Sequence, residues 1–173
     1  MIRHFEITRS EIGAWALFDW YPDQDRKVSK LMLHLKGGRN LQTVQFYCRS
    51  FVARMNLSDL SSHAVIVPCP TSGQRRHAQS LAFEMGKILG LPVIEALAVV
   101  PGHRSQKAKA NWERGRLHFE LNQNLRHRHV IFIDDIVTTG ATARAAQEAL
   151  GKTLGFETWC LAHRRQLAAE TLF

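Results

Sequence analysis

The stretch from His129 to Thr142 constrains the fold of this chain more than any other part of the sequence. It opens with four apolar residues, Val130 to Ile133, and a short continuous apolar run is typical of a strand covered on both faces. Two acids, Asp134 and Asp135, follow this run. A loop with the sequence Thr-Thr-Gly-Ala-Thr then leads into small apolar residues at helical spacing. The stretch therefore predicts a strand–loop–helix unit, with Gly151 or Gly155 available to end the helix.

The chemistry of such a loop favours an anion. Backbone N–H groups at a helix N-terminus point outward and bind oxyanions, and threonine hydroxyls add further donors. Gly140 lets the backbone approach an anion closely because it has no side chain. The donors proposed for a phosphate are Val137, Thr138, Thr139, Gly140, Ala141 and Thr142.

Asp134 and Asp135 have the wrong charge to bind that phosphate. Carboxylates only accept hydrogen bonds, so they fit hydroxyl groups or a metal. A phosphate beside vicinal hydroxyls describes a ribose 5-phosphate. The alternative interpretation is an ordinary strand–loop–helix corner whose acids are solvated.

The rest of the chain predicts an α/β fold. A second buried strand, 64–68, is followed by a polar loop and by a helix whose apolar face runs from Ala78 to Leu89. The run 91–100 is predicted to be a strand that pairs in parallel with the strand 64–68 through a βαβ connection. Further helices are predicted over 28–35, 41–56 and 142–154, further strands over 117–121 and 156–162, and a helical tail over 163–173. Ligands of parallel sheets bind outside the carboxyl ends of the strands, so Thr71 and Ser72 are expected on the same rim as the loop 138–142.

Length and composition indicate one soluble globular domain. The 173 residues are 45% hydrophobic and 22% charged, and no apolar run approaches the roughly 20 residues that span a bilayer. We expect a cytoplasmic protein, because no secretory signal is evident and the three cysteines are widely separated. No spacing of cysteine or histidine predicts a metal site. The formal charge of +8 favours anionic partners, either a phosphorylated small molecule or nucleic acid.

The run Val130 to Thr142 resembles the phosphoribosyl pyrophosphate (PRPP) signature of type I phosphoribosyltransferases. Within that group the chain is most similar to the competence protein F (ComF) family through Val67-Pro68-Cys69-Pro70. Weaker similarities lie at Arg75 and Gln79, at Gln106, Arg114 and Phe119, and in the helix that ends at Lys36. The family's N-terminal four-cysteine zinc ribbon is absent, and the loop between Pro70 and Arg75 is shorter than usual.

The resemblance implies an open, mainly parallel sheet flanked by helices, with a flexible basic loop. The expected single domain, 1–173, has a hood-like N-terminal segment, 1–60, and a core, 64–163. The implied reaction moves the phosphoribosyl group from PRPP to an unidentified nitrogenous acceptor with release of pyrophosphate, as in nucleotide metabolism, and Mg²⁺ enters with PRPP. Asp134 and Asp135 would hold the ribose hydroxyls as the catalytic acids.

The resemblance also implies a pyrophosphate side of the site. Thr71, Ser72 and Arg75 would face the pyrophosphate. Arg104, Lys107 and Lys109 would close over it as a lid, or would simply form a solvated basic loop. The alternative function is a non-enzymatic, PRPP-responsive accessory protein in DNA uptake (competence) or replication. A DNA or DNA-processing protein partner and a homodimer stay open, and no membrane partner is expected.

Overall fold

The computed structural model describes residues 7–9, 13–21, 29–30, 41–58, 60–71, 76–100 and 118–165. The strands in these ranges are β1 (Thr8–Arg9), β2 (Ala14–Trp20), β3 (Ala64–Pro68), β4 (Leu97–Val99), β5 (Phe119–Leu121), β6 (His129–Val137) and β7 (Gly155–Arg164). The helices named here are α1 (Leu41–Val52), α2 (His77–Leu89) and α3 (Ala141–Leu150).

Five of these strands form one mainly parallel sheet. Their order is β1-β2-β7-β6-β3, and every neighbouring pair is parallel except β1 with β2. The prediction of an α/β fold with a mainly parallel sheet flanked by helices is confirmed. Since β2, β3, β6 and β7 run in the same direction, their carboxyl ends meet at one edge of the sheet.

Helices cover the sheet on both faces, which explains the continuous apolar runs. Ile131 and Ile133 of β6 pack in a cluster with residues of α1 and α2, whereas Val130 and Phe132 pack in a second cluster with residues of α3. All four side chains are fully buried. A strand that buries alternate residues on opposite faces leaves no polar position within its buried part, so the apolar run follows from two-sided burial.

Two glycines determine where α2 ends and how closely it packs against the segment that follows it. Gly90 adopts φ +67° directly after α2, and its N–H donates to the carbonyl of Gly86. A Cβ on Gly86 would lie 2.5 Å from Cγ2 of Val93, so only glycine allows this close approach of the helix to the segment that follows it. The predicted apolar face is confirmed at its centre, but Ile88 is 38% exposed.

The prediction of a single strand over 91–100 differs from the structure. Val93 makes one isolated parallel bridge with Ile66, and the predicted parallel pairing extends no further. The chain then turns, and β4 pairs antiparallel with β5 in a separate two-stranded sheet. An apolar run alone does not indicate which strand will be its partner, and here its two halves have different partners.

Other boundaries shift by a few residues. Helix α1 ends at Val52 rather than near residue 56, and α3 runs from Ala141 to Leu150 and is followed by Gly151 rather than continuing to residue 154. The first part of the predicted tail helix, His163 and Arg164, is strand in β7. Most of the predicted helix 28–35 lies outside the described residues. The predicted N-terminal segment 1–60 contributes β1 and β2 to the same sheet as the predicted core.

Candidate functional site

Two carboxylates lie at the carboxyl edge of the sheet, beyond the end of the neighbouring strand. Pairing of β6 with β3 stops at Ile133 and Pro68, whereas β6 continues beside β7 as far as Val137. Asp134 and Asp135 therefore belong to β6 but have no β3 residue beside them. Both are half-buried. The sequence predicts that the two acids follow the end of the strand. In the structure they lie within β6, because pairing with β7 continues beyond them.

Each of the two carboxylates is oriented by the next residue in the chain. Oδ1 of Asp134 accepts a hydrogen bond from the Asp135 N–H at 2.8 Å. Oδ1 of Asp135 accepts one from the Ile136 N–H at 2.8 Å. These short contacts restrict the side-chain rotamers, so the pair is held in place before any ligand arrives.

The loop after β6 leads into the N-terminus of α3 with its amide groups exposed to a ligand. Gly140 adopts φ +71° at the N-cap position, and no side chain caps the helix. The backbone N–H groups of residues 138–142 donate to no acceptor in the part of the chain that the structure describes. Unsatisfied N–H groups at a helix N-terminus carry a partial positive charge, so this loop is a cradle for an anion.

The loop after β3 reaches the same edge. The Cys69 N–H donates to the carbonyl of Ile133 at 2.8 Å, which holds the end of β3 beside the acids of β6. Thr71 follows two residues later and is half-buried. Ser72 and Arg75 lie outside the described residues, as do Arg104, Lys107 and Lys109 of the predicted basic loop.

Two buried thiols flank the acid pair. Burial raises the pKa of the Cys69 thiol well above its usual range, and the charges of Asp134 and Asp135 raise it further. The pKa of the Cys160 thiol, opposite Asp134 on β7, is raised by the same causes, with burial first. Both thiols stay protonated at neutral pH, so neither is suited to act as a nucleophile.

A third group of polar side chains lies at this edge, and no pattern in the sequence predicts it. His163 and Arg165 approach Asp19 across the β2–β7 pair. Nδ1 of His163 lies 3.5 Å from Oδ1 of Asp19, and Nε of Arg165 lies 3.2 Å from the same oxygen. Both nitrogens are within ion-pair distance, yet neither makes a hydrogen bond of acceptable geometry, and both atoms are buried.

The sequence does not predict this group because residues 163–173 are predicted to form a helical tail, whereas His163 and Arg164 belong to β7. The feature of the sequence that could have indicated this group is the apolar run 156–162, because the strand that it predicts can continue into His163 and Arg164.

Among the described residues, no three histidine, cysteine or carboxylate side chains are placed to hold a metal ion together. The acid pair could supply one or two oxygen ligands at most. Mg²⁺ is often bound by one or two carboxylates together with phosphate oxygens, so the pair fits an ion that arrives on a phosphorylated ligand.

No protein-family model matches the sequence, and no curated protein is significantly similar to it. Solved structures do share its fold. A hypoxanthine phosphoribosyltransferase from Staphylococcus aureus is 16% identical, covers 76% of this chain and 71% of its own, and superimposes with a TM-score of 0.50. A hypoxanthine phosphoribosyl transferase from Trypanosoma cruzi is 14% identical over 75% and 70% of the two chains, with a TM-score of 0.48. A hypoxanthine-guanine phosphoribosyltransferase from Bacillus anthracis is 16% identical over 76% of each chain, with a TM-score of 0.47.

The first of these similarities supports a shared fold, and at 16% identity it goes no further than the fold. The chain therefore has a fold of the type I phosphoribosyltransferase kind, as the sequence predicted. Within the described residues, no helix is both long and apolar enough to cross a membrane.

Proposed function

We propose that this protein binds PRPP and transfers its phosphoribosyl group to a nitrogenous acceptor, releasing pyrophosphate. The observation that supports this most is the uncapped N-terminus of α3 beside the acid pair of β6. Amide donors for a phosphate and carboxylate acceptors for hydroxyls lie a few residues apart, in the order that a ribose 5-phosphate requires. The arrangement lies at the carboxyl edge of the sheet, where ligands of parallel sheets bind, and this position supports the proposal.

The loop would hold the 5-phosphate. The donors would be the amide groups from Val137 to Thr142, and Thr138 and Thr139 are exposed, so their hydroxyls are available as further donors. Asp134 and Asp135 would accept hydrogen bonds from the ribose hydroxyls. Breaking the bond between C1 and pyrophosphate leaves positive charge on the ribose, which two nearby carboxylates stabilise electrostatically.

The end of β3 would face the leaving pyrophosphate. Thr71 is the described member of this group, and Ser72 and Arg75 are proposed from the sequence. Mg²⁺, bound to PRPP, would supply charge neutralisation at the phosphates. Arg104, Lys107 and Lys109 are proposed as the lid that excludes water.

Two finer assignments depend on the sequence alone. The run Val67-Pro68-Cys69-Pro70 supports a ComF-type protein within the phosphoribosyltransferase-like fold. The charge of +8 supports a second candidate function, a PRPP-responsive accessory protein of DNA uptake or replication that binds nucleic acid or a DNA-processing protein. The two candidates share the PRPP site and differ in whether PRPP is consumed.

Calorimetric titration tests the shared site. Asp134→Asn and Asp135→Asn keep the size of each side chain and remove its charge. We expect each to weaken binding of PRPP with Mg²⁺ more than binding of free pyrophosphate, because only PRPP has ribose hydroxyls. Glu120→Gln, at an exposed position on β5, is the matched control and should bind both ligands as the wild type does.

Equal losses for PRPP and pyrophosphate would contradict the ribose-binding role of the acids. Turnover then separates the two functions. Release of pyrophosphate from PRPP with a panel of purine and pyrimidine bases would support the transferase. PRPP binding without turnover, together with DNA binding that weakens steeply with salt, would support the accessory protein.

A further inference from the structure

Transfer to a nitrogen acceptor requires a group that takes up a proton. The lone pair of the acceptor nitrogen forms a bond to C1, the bond from C1 to pyrophosphate breaks, and the nitrogen then carries a proton that it must lose. The loop Val-Thr-Thr-Gly-Ala-Thr has no side chain that titrates near neutral pH. Asp134 and Asp135 are assigned to the ribose. The group that takes the proton must therefore come from another element.

The thiols at this edge are unsuitable. A base must be able to accept a proton at neutral pH, and Cys69 and Cys160 are already protonated because burial raises the pKa of both. Among the described residues at the carboxyl edge, the side chains that can accept a proton include two imidazoles, those of His77 at the start of α2 and His163 at the end of β7, and strand pairing sets His163 beside the loop after β6.

His163 lies next to the loop. On one side His163 pairs with Val137 of β6, the residue that precedes Thr138. On the other side it pairs with Asp19 of β2. In-register residues of neighbouring strands project to the same side of a sheet, so Asp19, His163 and Val137 form one row across its edge. The imidazole therefore lies between a carboxylate and the start of the anion cradle.

The imidazole has the surroundings of an oriented base. Only 8% of its side chain is exposed, and Nδ1 contributes nothing to that fraction because it is buried. Nδ1 lies 3.5 Å from Oδ1 of Asp19, so Nε2 is the ring nitrogen left to take a proton. A carboxylate within ion-pair distance of one ring nitrogen stabilises the imidazolium that forms when the other nitrogen takes a proton.

The charged groups nearest His163 on the neighbouring strands are three carboxylates and one guanidinium. Asp19 lies on β2, and Nε of Arg165, the residue after β7, lies 3.2 Å from its Oδ1. Asp134 and Asp135 lie on β6, three and two residues before Val137. Thr8 of β1 approaches Oδ1 of Asp19 through its hydroxyl at 3.5 Å.

We propose that His163, oriented by Asp19, is the general base that takes the proton from the attacking nucleophile. Neutral His163 becomes an imidazolium as the new bond to C1 forms, and it later releases the proton to solvent. This inference depends on the proposed PRPP site. The role does not depend on the identity of the acceptor, because water attacking C1 loses a proton in the same way.

The test therefore measures pyrophosphate release from PRPP with Mg²⁺, with water alone and with the base panel, for the wild type and His163→Gln. Glutamine keeps polar contacts and cannot act as a base near neutral pH. We expect the maximal rate to fall about 10²- to 10⁴-fold, the usual contribution of a general base, and the decline in rate on the acid side of the pH profile to disappear. The Kd for PRPP should stay within about twofold of the wild-type value, since His163 does not hold the phosphate.

His63→Gln is the matched control, because His63 is exposed at the opposite end of the sheet. Asp19→Asn is the second variant, and it should lower the rate less than His163→Gln while retaining the fold, which circular dichroism checks. If His163→Gln is unstable, Asp19→Asn alone decides, and a wild-type rate and pH profile in that variant would overturn the proposal.

The outcomes separate the two claims. If the wild type binds and turns over PRPP, a rate that His163→Gln leaves unchanged, or a rate loss that keeps the wild-type pH profile, would overturn the role of His163 only. PRPP binding with no pyrophosphate release from the wild type would overturn both the role of His163 and the transferase, and would leave the PRPP-binding site standing. Failure of the wild type to bind PRPP would overturn the proposed function itself.

Discussion

Gly140 and Gly90 give a matched pair of substitutions that separates binding from stability. Both adopt a left-handed conformation, with φ values of +71° and +67°. Alanine in that region costs roughly 1–2 kcal/mol relative to a relaxed backbone. The two sites differ in what holds them. Gly90 donates its N–H to Gly86, whereas the amide groups around Gly140 donate to nothing among the described residues.

The strain should therefore appear in different measurements. In Gly90→Ala the capped conformation persists, and the cost should lower the melting temperature by roughly 2–8 °C without changing PRPP affinity. In Gly140→Ala the free loop can relax, and PRPP must then restore the strained conformation. A penalty of about 1–2 kcal/mol weakens binding by about 5- to 30-fold.

Calorimetry with PRPP and Mg²⁺ gives the affinity of each variant, and thermal unfolding gives its stability. Each protein serves as the control for the other, because the chemical change is identical. A Gly140→Ala protein that binds PRPP with the wild-type Kd would refute the claim that the backbone of this loop holds the phosphate.

Three further predictions concern residues that contact neither the proposed phosphate nor the ribose. Gly86→Ala should destabilise the fold by about 1–3 kcal/mol in urea titrations, because its Cβ would overlap Val93, and a loss below about 0.5 kcal/mol would contradict that packing. The hydrogen bond and charge of Lys87 lower the pKa of Glu84. The pair therefore stabilises the protein at pH values above the usual pKa of a glutamate carboxyl group. This contribution is lost as the pH falls through the lowered pKa of Glu84. Glu84→Gln should thus reduce stability at pH 7, by less than about 1 kcal/mol since Lys87 is mostly exposed, and have no effect in strong acid. Alkylation of Cys69 by iodoacetamide should be slow at pH 8 and still rising at pH 10, because burial and the acid pair raise the thiol pKa, and a plateau near pH 9 would contradict this.

The sequence predicted the centre of the fold because local pattern and tertiary structure agree there. The apolar runs 64–68 and 130–133 are buried on both faces, so each run indicates a strand regardless of its neighbours. The junction from β6 to α3 was predicted for a similar reason. Its glycine, threonines and acids each have a local chemical role, and the structure places the cradle and the acid pair a few residues apart.

Features that depend on strand pairing were not predictable in the same way. The run 91–100 has one hydrophobic pattern but two partners, since Val93 bridges to Ile66 while β4 pairs with β5. Asp19 and His163 are far apart in sequence and meet because β2 and β7 pair in parallel. Nothing in the composition of either segment indicates that pairing, which is why the polar group at the β2–β7 edge appears only in the structure.

The central claim is that the loop between β6 and α3 binds the phosphate of a phosphorylated ribose through its backbone amides. An NMR titration with ribose 5-phosphate on ¹⁵N-labelled protein measures this residue by residue. We expect saturable shifts concentrated on the amides of Thr138, Thr139, Gly140, Ala141 and Thr142. Saturable shifts elsewhere, with these five amides unchanged, would contradict it.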